Sequence, residues 1–112
     1  MKTNELTGAA LDWAVAKATL PPDRTPEPSF VDLCVRRNFC PSEAWEQGGP
    51  IIEQEKIGID CDDQGVWFAS YDLSAETAFG ASSESPLIAA MRCYVASKLG
   101  DEVEVPAELL GD

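Results

Sequence analysis

Apolar and polar positions along this chain fall into two rhythms, and each change of rhythm marks an element. Leu11, Ala14, Val15 and Ala18 recur with helical spacing, which predicts a first helix over residues 9–18. Thr7 or Asn4 can cap it, and Pro21-Pro22 forces its end. Trp13 lies off the centre of this stripe, beside Lys17 and Leu20, so it either folds over a neighbouring element or faces a ligand. Aromatic residues at helical spacing usually pack, and the packing reading is preferred.

Residues 21–29 hold four of the eight prolines with charges between them, a density at which no regular element survives. Beyond this loop residues 30–35 alternate, with Phe30, Asp32 and Cys34 on one side and Val31, Leu33 and Val35 on the other, as a strand would place them. Arg36-Arg37 follows as an adjacent basic pair and reads as a solvated strand end more readily than as an anion site. Pro41-Ser42-Glu43 has the form of a helix start with Ser42 as cap, and helical spacing continues from Trp45 to Ile57 until Gly58. Gly48-Gly49-Pro50 interrupts it, so either a kink or a short turn and a new helix opening at Pro50 is expected.

Ile57, Ile59 and Cys61 then alternate with Gly58 and Asp60, Asp62-Asp63-Gln64-Gly65 turns, and residues 66–71 run on in strand-forming types, which makes a hairpin. A further short strand is expected near residues 76–80, ahead of a polar turn at 81–84. Ser85 as cap, Pro86 at the first helical position and Gly100 as the stop frame a helix over 87–99, with Ile88, Met91, Val95 and Leu99 as its buried stripe. Residues 101–106 read as a short extended segment and 107–112 as a terminal turn. The predicted class is α+β: a small antiparallel-leaning sheet with a hairpin, packed by two to three helices as an α/β sandwich. One domain spans 1–112, with a proline-rich loop at 21–29 and an acidic segment at 101–112.

Charge narrows the range of partners. The 20 acidic residues against 8 basic ones give a formal net charge of -12. Nucleic-acid binding through phosphates requires a basic stripe, so no direct nucleic-acid binding is expected, and an anionic membrane is repelled. A basic protein surface is the natural electrostatic complement. A chain of 112 residues buries only about 60–70% of its unfolded surface, so a homodimer would add useful burial. Met1-Lys2-Thr3-Asn4-Glu5 is polar, and no apolar run reaches the length of about 18 residues that would span a bilayer, so the chain is expected to stay in the cytoplasm. Cys34, Cys40, Cys61 and Cys93 are then expected to be reduced, half-apolar packing residues.

Chemistry-bearing patterns are sparse. The cysteines are widely spaced, without a C-x-x-C pair, and the chain has no histidine, so neither a metal nor another cofactor is expected. Asp60-Cys61-Asp62-Asp63-Gln64-Gly65 begins like a calcium loop, but its twelfth position is Tyr71 rather than a bidentate Glu, and its flanks read as strands; a plain turn is preferred. Nucleophilic catalysis by Ser or Cys normally needs a histidine base, and no carboxylate pair stands out by spacing, so no enzyme activity is expected. Gly48-Gly49-Pro50-Ile51 opening a helix would offer backbone donors to a small anion, though close packing and chain reversal are preferred. Arg92, in the middle of the last helix, either snorkels at its border or is held inside by a carboxylate or a ligand anion.

Three blocks carry a resemblance: residues 5–17 around Leu11-Asp12-Trp13, residues 45–53 with Trp45-Glu46-Gln47-Gly48-Gly49-Pro50, and residues 85–103 with Ser85-Pro86-Leu87-Ile88 and Met91-Arg92-Cys93-Tyr94. In this order they resemble the signature blocks of the NinX family of lambdoid phages and prophages, and more weakly the phage α/β/α sandwich domains. Phe39-Cys40-Pro41-Ser42-Glu43-Ala44-Trp45 departs from the tyrosine-serine-threonine-aspartate-tryptophan type of run common in that family. The resemblance implies an accessory protein of an infected or lysogenic bacterial host, with no assigned reaction. Two functions are consistent with it. One is a non-enzymatic acidic protein that antagonises a host factor or defence complex, using Asp101, Glu102, Glu104, Glu108 and Asp112 against a basic host surface. The other is a binder of a small anionic, nucleotide-type ligand, with Trp13, Trp45, Gly48, Gly49 and Arg92 around a pocket. The first expects acidic patches without a deep cavity; the second expects a pocket where those residues converge.

Overall fold

Proline placement decides where the first two helices stand. The computed structural model describes residues 2–21, 23–70, 81–83, 85–100 and 102–109. In it α1 spans Gly8–Thr19, with Thr7 at the N-cap, and gives way to extended backbone at Leu20 before the prolines. Leu11, Ala14, Val15 and Ala18 are buried as their spacing predicts, and Trp13 is buried among them.

The first correction falls on residues 30–35, which are helical and not a strand. They complete α2 (Pro28–Val35), which opens with Pro28, so the loop gives up its last two residues. A proline at the first helical position loses no intrahelical bond and presets the backbone. Phe30, Val31 and Cys34 then share one face and pack on the core, whereas Leu33 is 38% exposed and Val35 54%. Residues 30–35, apolar but for Asp32, fit period 2 and period 3.6 alike, and the helix start signal at Pro28 lies within the proline-rich stretch that reads as loop. Arg36 therefore sits at a helix end, paired with Asp32 one turn back at 3.1 Å. Arg37, in left-handed backbone, pairs with Glu43.

α3 (Trp45–Glu55) contains Gly48-Gly49-Pro50 within a single helix, so no second helix opens at Pro50. Pro50 deprives only the Glu46 carbonyl of a partner, and Glu46 is exposed to water. Ala44, not Ser42, is the N-cap, and Lys56 in left-handed backbone ends the helix before Gly58. The predicted hairpin forms from β1 (Gly58–Cys61) and β2 (Trp67–Ser70), with Ile59 opposite Ala69 and Cys61 opposite Trp67. Asp62 Oδ1 accepts from the Gln64 and Val66 amides at 2.9 Å, so this carboxylate organises the turn. β3 (Ala81–Ser83) adds to the other edge of β2, where a polar turn was expected, and all pairings are antiparallel. The strand expected at 76–80 lies outside the described residues, as does Tyr71.

α4 (Pro86–Leu99) is framed by the predicted signals: Ser85 Oγ accepts from the Ile88 amide at 3.3 Å, and Gly100 ends the helix with φ 89°. It packs against α1, α3 and all three strands, so its buried surface is wider than one stripe. Leu87, Ala89, Ala90, Met91, Cys93, Tyr94 and Val95 are buried, while Ile88 and Leu99 are half-buried. Thr3 Oγ1 donates to the Gly100 carbonyl at 2.7 Å, and the backbones of Lys2 and Glu102 form an isolated antiparallel β-bridge, which fixes the described start of the chain to the end of α4. The fold is α+β, with four α-helices among the described residues. Among those residues no helix is long and apolar enough to cross a membrane.

Candidate functional site

The proline-rich segment cannot continue α1, so the chain turns at Pro21, whose carbonyl accepts from the Arg24 amide at 2.9 Å, and α2 returns alongside α1. Between the end of α1, this loop, α2 and the inner turns of α3 and α4 lies a cleft of about 660 Å³. Leu20, Phe30, Leu33, Phe39 and Ile51 supply apolar walls; Thr19, Gln54 and Tyr94 are polar, and Arg24, Glu27 and Glu55 are charged. Its size and largely apolar lining fit a small-molecule site. Phe30 and Phe39 meet edge to face with centroids 5.0 Å apart, which fixes one wall. Thr19 Oγ1 donates to the Val15 carbonyl at 2.8 Å and lies 3.3 Å from the Tyr94 hydroxyl. Lys98 Nζ stands 5.9 Å from the centroid of the Tyr94 ring and 3.6 Å from Glu55, so Glu55 enters the cleft with a cation beside it.

None of the five residues expected around a ligand lines this cleft. Trp13 is inside the core, whereas Trp45 is 55% exposed on the first turn of α3. Gly48 is a packing point: a Cβ there would collide with the Pro41 carbonyl and stand 2.6 Å from Leu87 Cδ1. Its amide already donates to Ala44, so Gly48 has the close packing preferred for it, but inside a continuous helix and not at a chain reversal or a helix start. Arg92 is half-buried; its Nε donates to the Leu6 carbonyl at 2.9 Å, and burial lowers its pKa. It anchors α4 to the start of the chain. Glu102, Glu104 and Glu108 are exposed, while Asp101 and Asp112 lie outside the described residues.

A second buried polar centre was not anticipated. Asp12 is fully buried on α1, and its Oδ1 accepts from the Ser42 amide at 2.9 Å. Asp12 Oδ2 and Ser42 Oγ are buried without a well-formed hydrogen bond. Burial raises the Asp12 pKa, and the Ser42 hydroxyl, the Ser42 amide and the Arg37 charge offset that rise only in part. Asp12 is the one charge between Gly8 and Ala16, with apolar neighbours three and four residues on, and that isolation was the available signal. Cys34 and Cys93 are buried thiols pushed up to about 11, by desolvation first and, for Cys34, also by the Asp12 and Cys40 charges. Cys61 is exposed, contrary to its expected packing role, because it stands at the turn end of the hairpin, beside exposed Asp62. Among the described residues no three acidic or thiol groups stand where they could share a metal ion.

Comparison with known proteins gives the setting. No curated protein matches the chain. The family model described as Bacteriophage P22, NinX matches residues 2–98, and the chain therefore belongs to the NinX family of phage proteins.

Proposed function

We propose that this phage protein is a non-enzymatic binding protein, acting in the cytoplasm of the infected bacterium, whose cleft between α1, α2 and α3 seats a small, mostly apolar ligand. The observation that carries this reading is the cleft itself, about 660 Å³, walled by Leu20, Phe30, Leu33, Phe39 and Ile51. Water in such a space is poorly hydrogen-bonded, so displacing it with apolar surface is favourable. The net charge of -12 weighs against an anionic, nucleotide-type ligand, since only Arg24 among the lining residues is cationic. The non-enzymatic reading is supported by the lack of histidine and by the two buried thiols, whose high pKa values disfavour thiolate at neutral pH.

The test is extraction of small molecules that copurify with the chain from infected cells, compared with Leu33→Asp. Leu33 is 38% exposed, so a carboxylate there charges the cleft without unfolding the chain. Wild type is expected to carry an apolar compound that the variant loses. Equal recovery from both proteins would contradict the cleft as the binding site.

The acidic surface supports a second reading. Glu102, Glu104 and Glu108 are exposed on one short segment, and together with the net charge they suit a basic host protein such as a component of a defence complex. A partner recovered by crosslinking and released by Glu102→Lys with Glu104→Lys supports this reading; retention of the partner by that variant opposes it.

A further inference from the structure

The hydrogen-bond directions on the cleft wall restrict which ligand it takes, an inference that rests on the cleft being the binding site. Thr19 has one hydroxyl proton. The Val15 carbonyl, 2.8 Å away, can only accept, so that proton is committed to it. In the 3.3 Å contact between Thr19 Oγ1 and the Tyr94 hydroxyl, Tyr94 must therefore be the donor. The relay runs from Tyr94 to Thr19 to the Val15 carbonyl, and both side chains line the cleft. With its proton committed, the Tyr94 oxygen presents lone pairs and no hydrogen. A ligand group that needed this proton would leave two oxygens facing each other, lone pair to lone pair, at the same separation.

We infer that the cleft selects an uncharged amphiphile with an apolar body and one hydrogen-bond donor, an alcohol, phenol or amide N–H, that donates to the Tyr94 oxygen. A carboxylate offers only acceptors at neutral pH, and a carboxylate or phosphate alike brings its negative charge to a chain of net charge -12. An ether or ester of the same shape would fill the apolar walls and leave the Tyr94 oxygen unpaired. Partners left unpaired in a buried site discriminate more strongly than shape alone.

Three probes with one body separate these ideas: 4-butylphenol, 4-butylanisole and 4-butylbenzoate, each titrated calorimetrically into the full chain. Wild type is expected to bind the phenol at least about fivefold more tightly than the anisole, the scale of one net hydrogen bond, and the benzoate most weakly. Tyr94→Phe should bring the phenol down to the affinity of the anisole, and retained anisole binding shows that the variant is folded. Thr19→Val, at an exposed position, releases the Tyr94 proton and should raise the affinity for the anisole, narrowing the ratio from the other side. Equal affinity of wild type for phenol and anisole, or a ratio unchanged in both variants, would overturn the donor rule while leaving the cleft as a binding site. Failure of all three probes to bind wild type would overturn both.

Discussion

The amide of Ser42 donates to Oδ1 of Asp12 across 2.9 Å of fully buried space, joining the middle of α1 to the turn that leads into α3. Neither residue is exposed, and the second Asp12 oxygen has no well-formed partner, so the carboxylate is held by geometry at the cost of its solvation. Asp12→Ala should lower stability by about 2–3 kcal/mol, because the Ser42 amide is left buried and unpaired beside a small void. Asp12→Asn keeps the acceptor for that amide and removes the buried charge, so at pH 7 it should lie within about 1 kcal/mol of wild type or above it. Urea unfolding of the three proteins measures both differences.

The same residue sets a pH dependence. An acid whose folded pKa stands above its unfolded value, 3.8 for Asp12, binds its proton more tightly in the folded state. Its contribution to stability is fully present below that unfolded value and is lost as pH rises through the raised folded one. The advantage of Asp12→Asn over wild type should therefore grow as pH is raised from 4 to 7. Unfolding midpoints collected across that range check the sign: a constant or shrinking difference contradicts a raised Asp12 pKa.

The adjacent glycines of α3 should respond in opposite directions. Gly48 has no room for a methyl group between the Pro41 carbonyl and Leu87, and Gly48→Ala should cost about 2–3 kcal/mol through overpacking. Gly49 has open space within 4 Å of where its Cβ would lie and is helical, so Gly49→Ala should stabilise by about 0.5–1 kcal/mol. Thermal unfolding resolves this pair of opposite shifts.

Thiol accessibility follows the same packing. Cys61 is exposed, whereas Cys34 and Cys93 are buried with pKa values of about 11. At pH 8 a disulfide reagent such as dithionitrobenzoate should modify Cys61 rapidly and leave Cys34 and Cys93 unmodified until denaturant is added. Peptide mapping after a short exposure identifies the labelled positions.

How much of this was legible before the fold depended on whether the deciding signal was local. Ser85, Pro86 and Gly100 sit at the ends of α4 and act within one turn of themselves, so the helix was readable almost to the residue. The hairpin was equally local, because Asp62 and Gly65 make its turn. Residues 30–35 were ambiguous, since two periods fit so short a run, and Pro28 at the helix start together with packing against α1 selects the helix. Gly48-Gly49-Pro50 has the composition of a break, yet close contact with Leu87 of α4 requires a glycine in that helix. The cleft was invisible for a related reason. It is made by α2 folding back over α1 and by α3 and α4 meeting it from the other side, and once Phe30 and Leu33 were placed on a strand nothing pointed to their shared wall. Trp13 and Arg92 attracted attention as residue types, but one fills the core and the other ties down Leu6.

The claim that the cleft is the binding site is tested most directly by following backbone amide resonances of the labelled full chain during titration with 4-butylphenol. Saturable shifts concentrated at Ala16, Leu20, Phe30, Leu33, Ile51 and Tyr94, and abolished by Leu33→Asp, are the predicted result. Shifts centred on Trp45, Phe68 or the segment from Glu102 to Glu108, or no saturable shift at all, would contradict it.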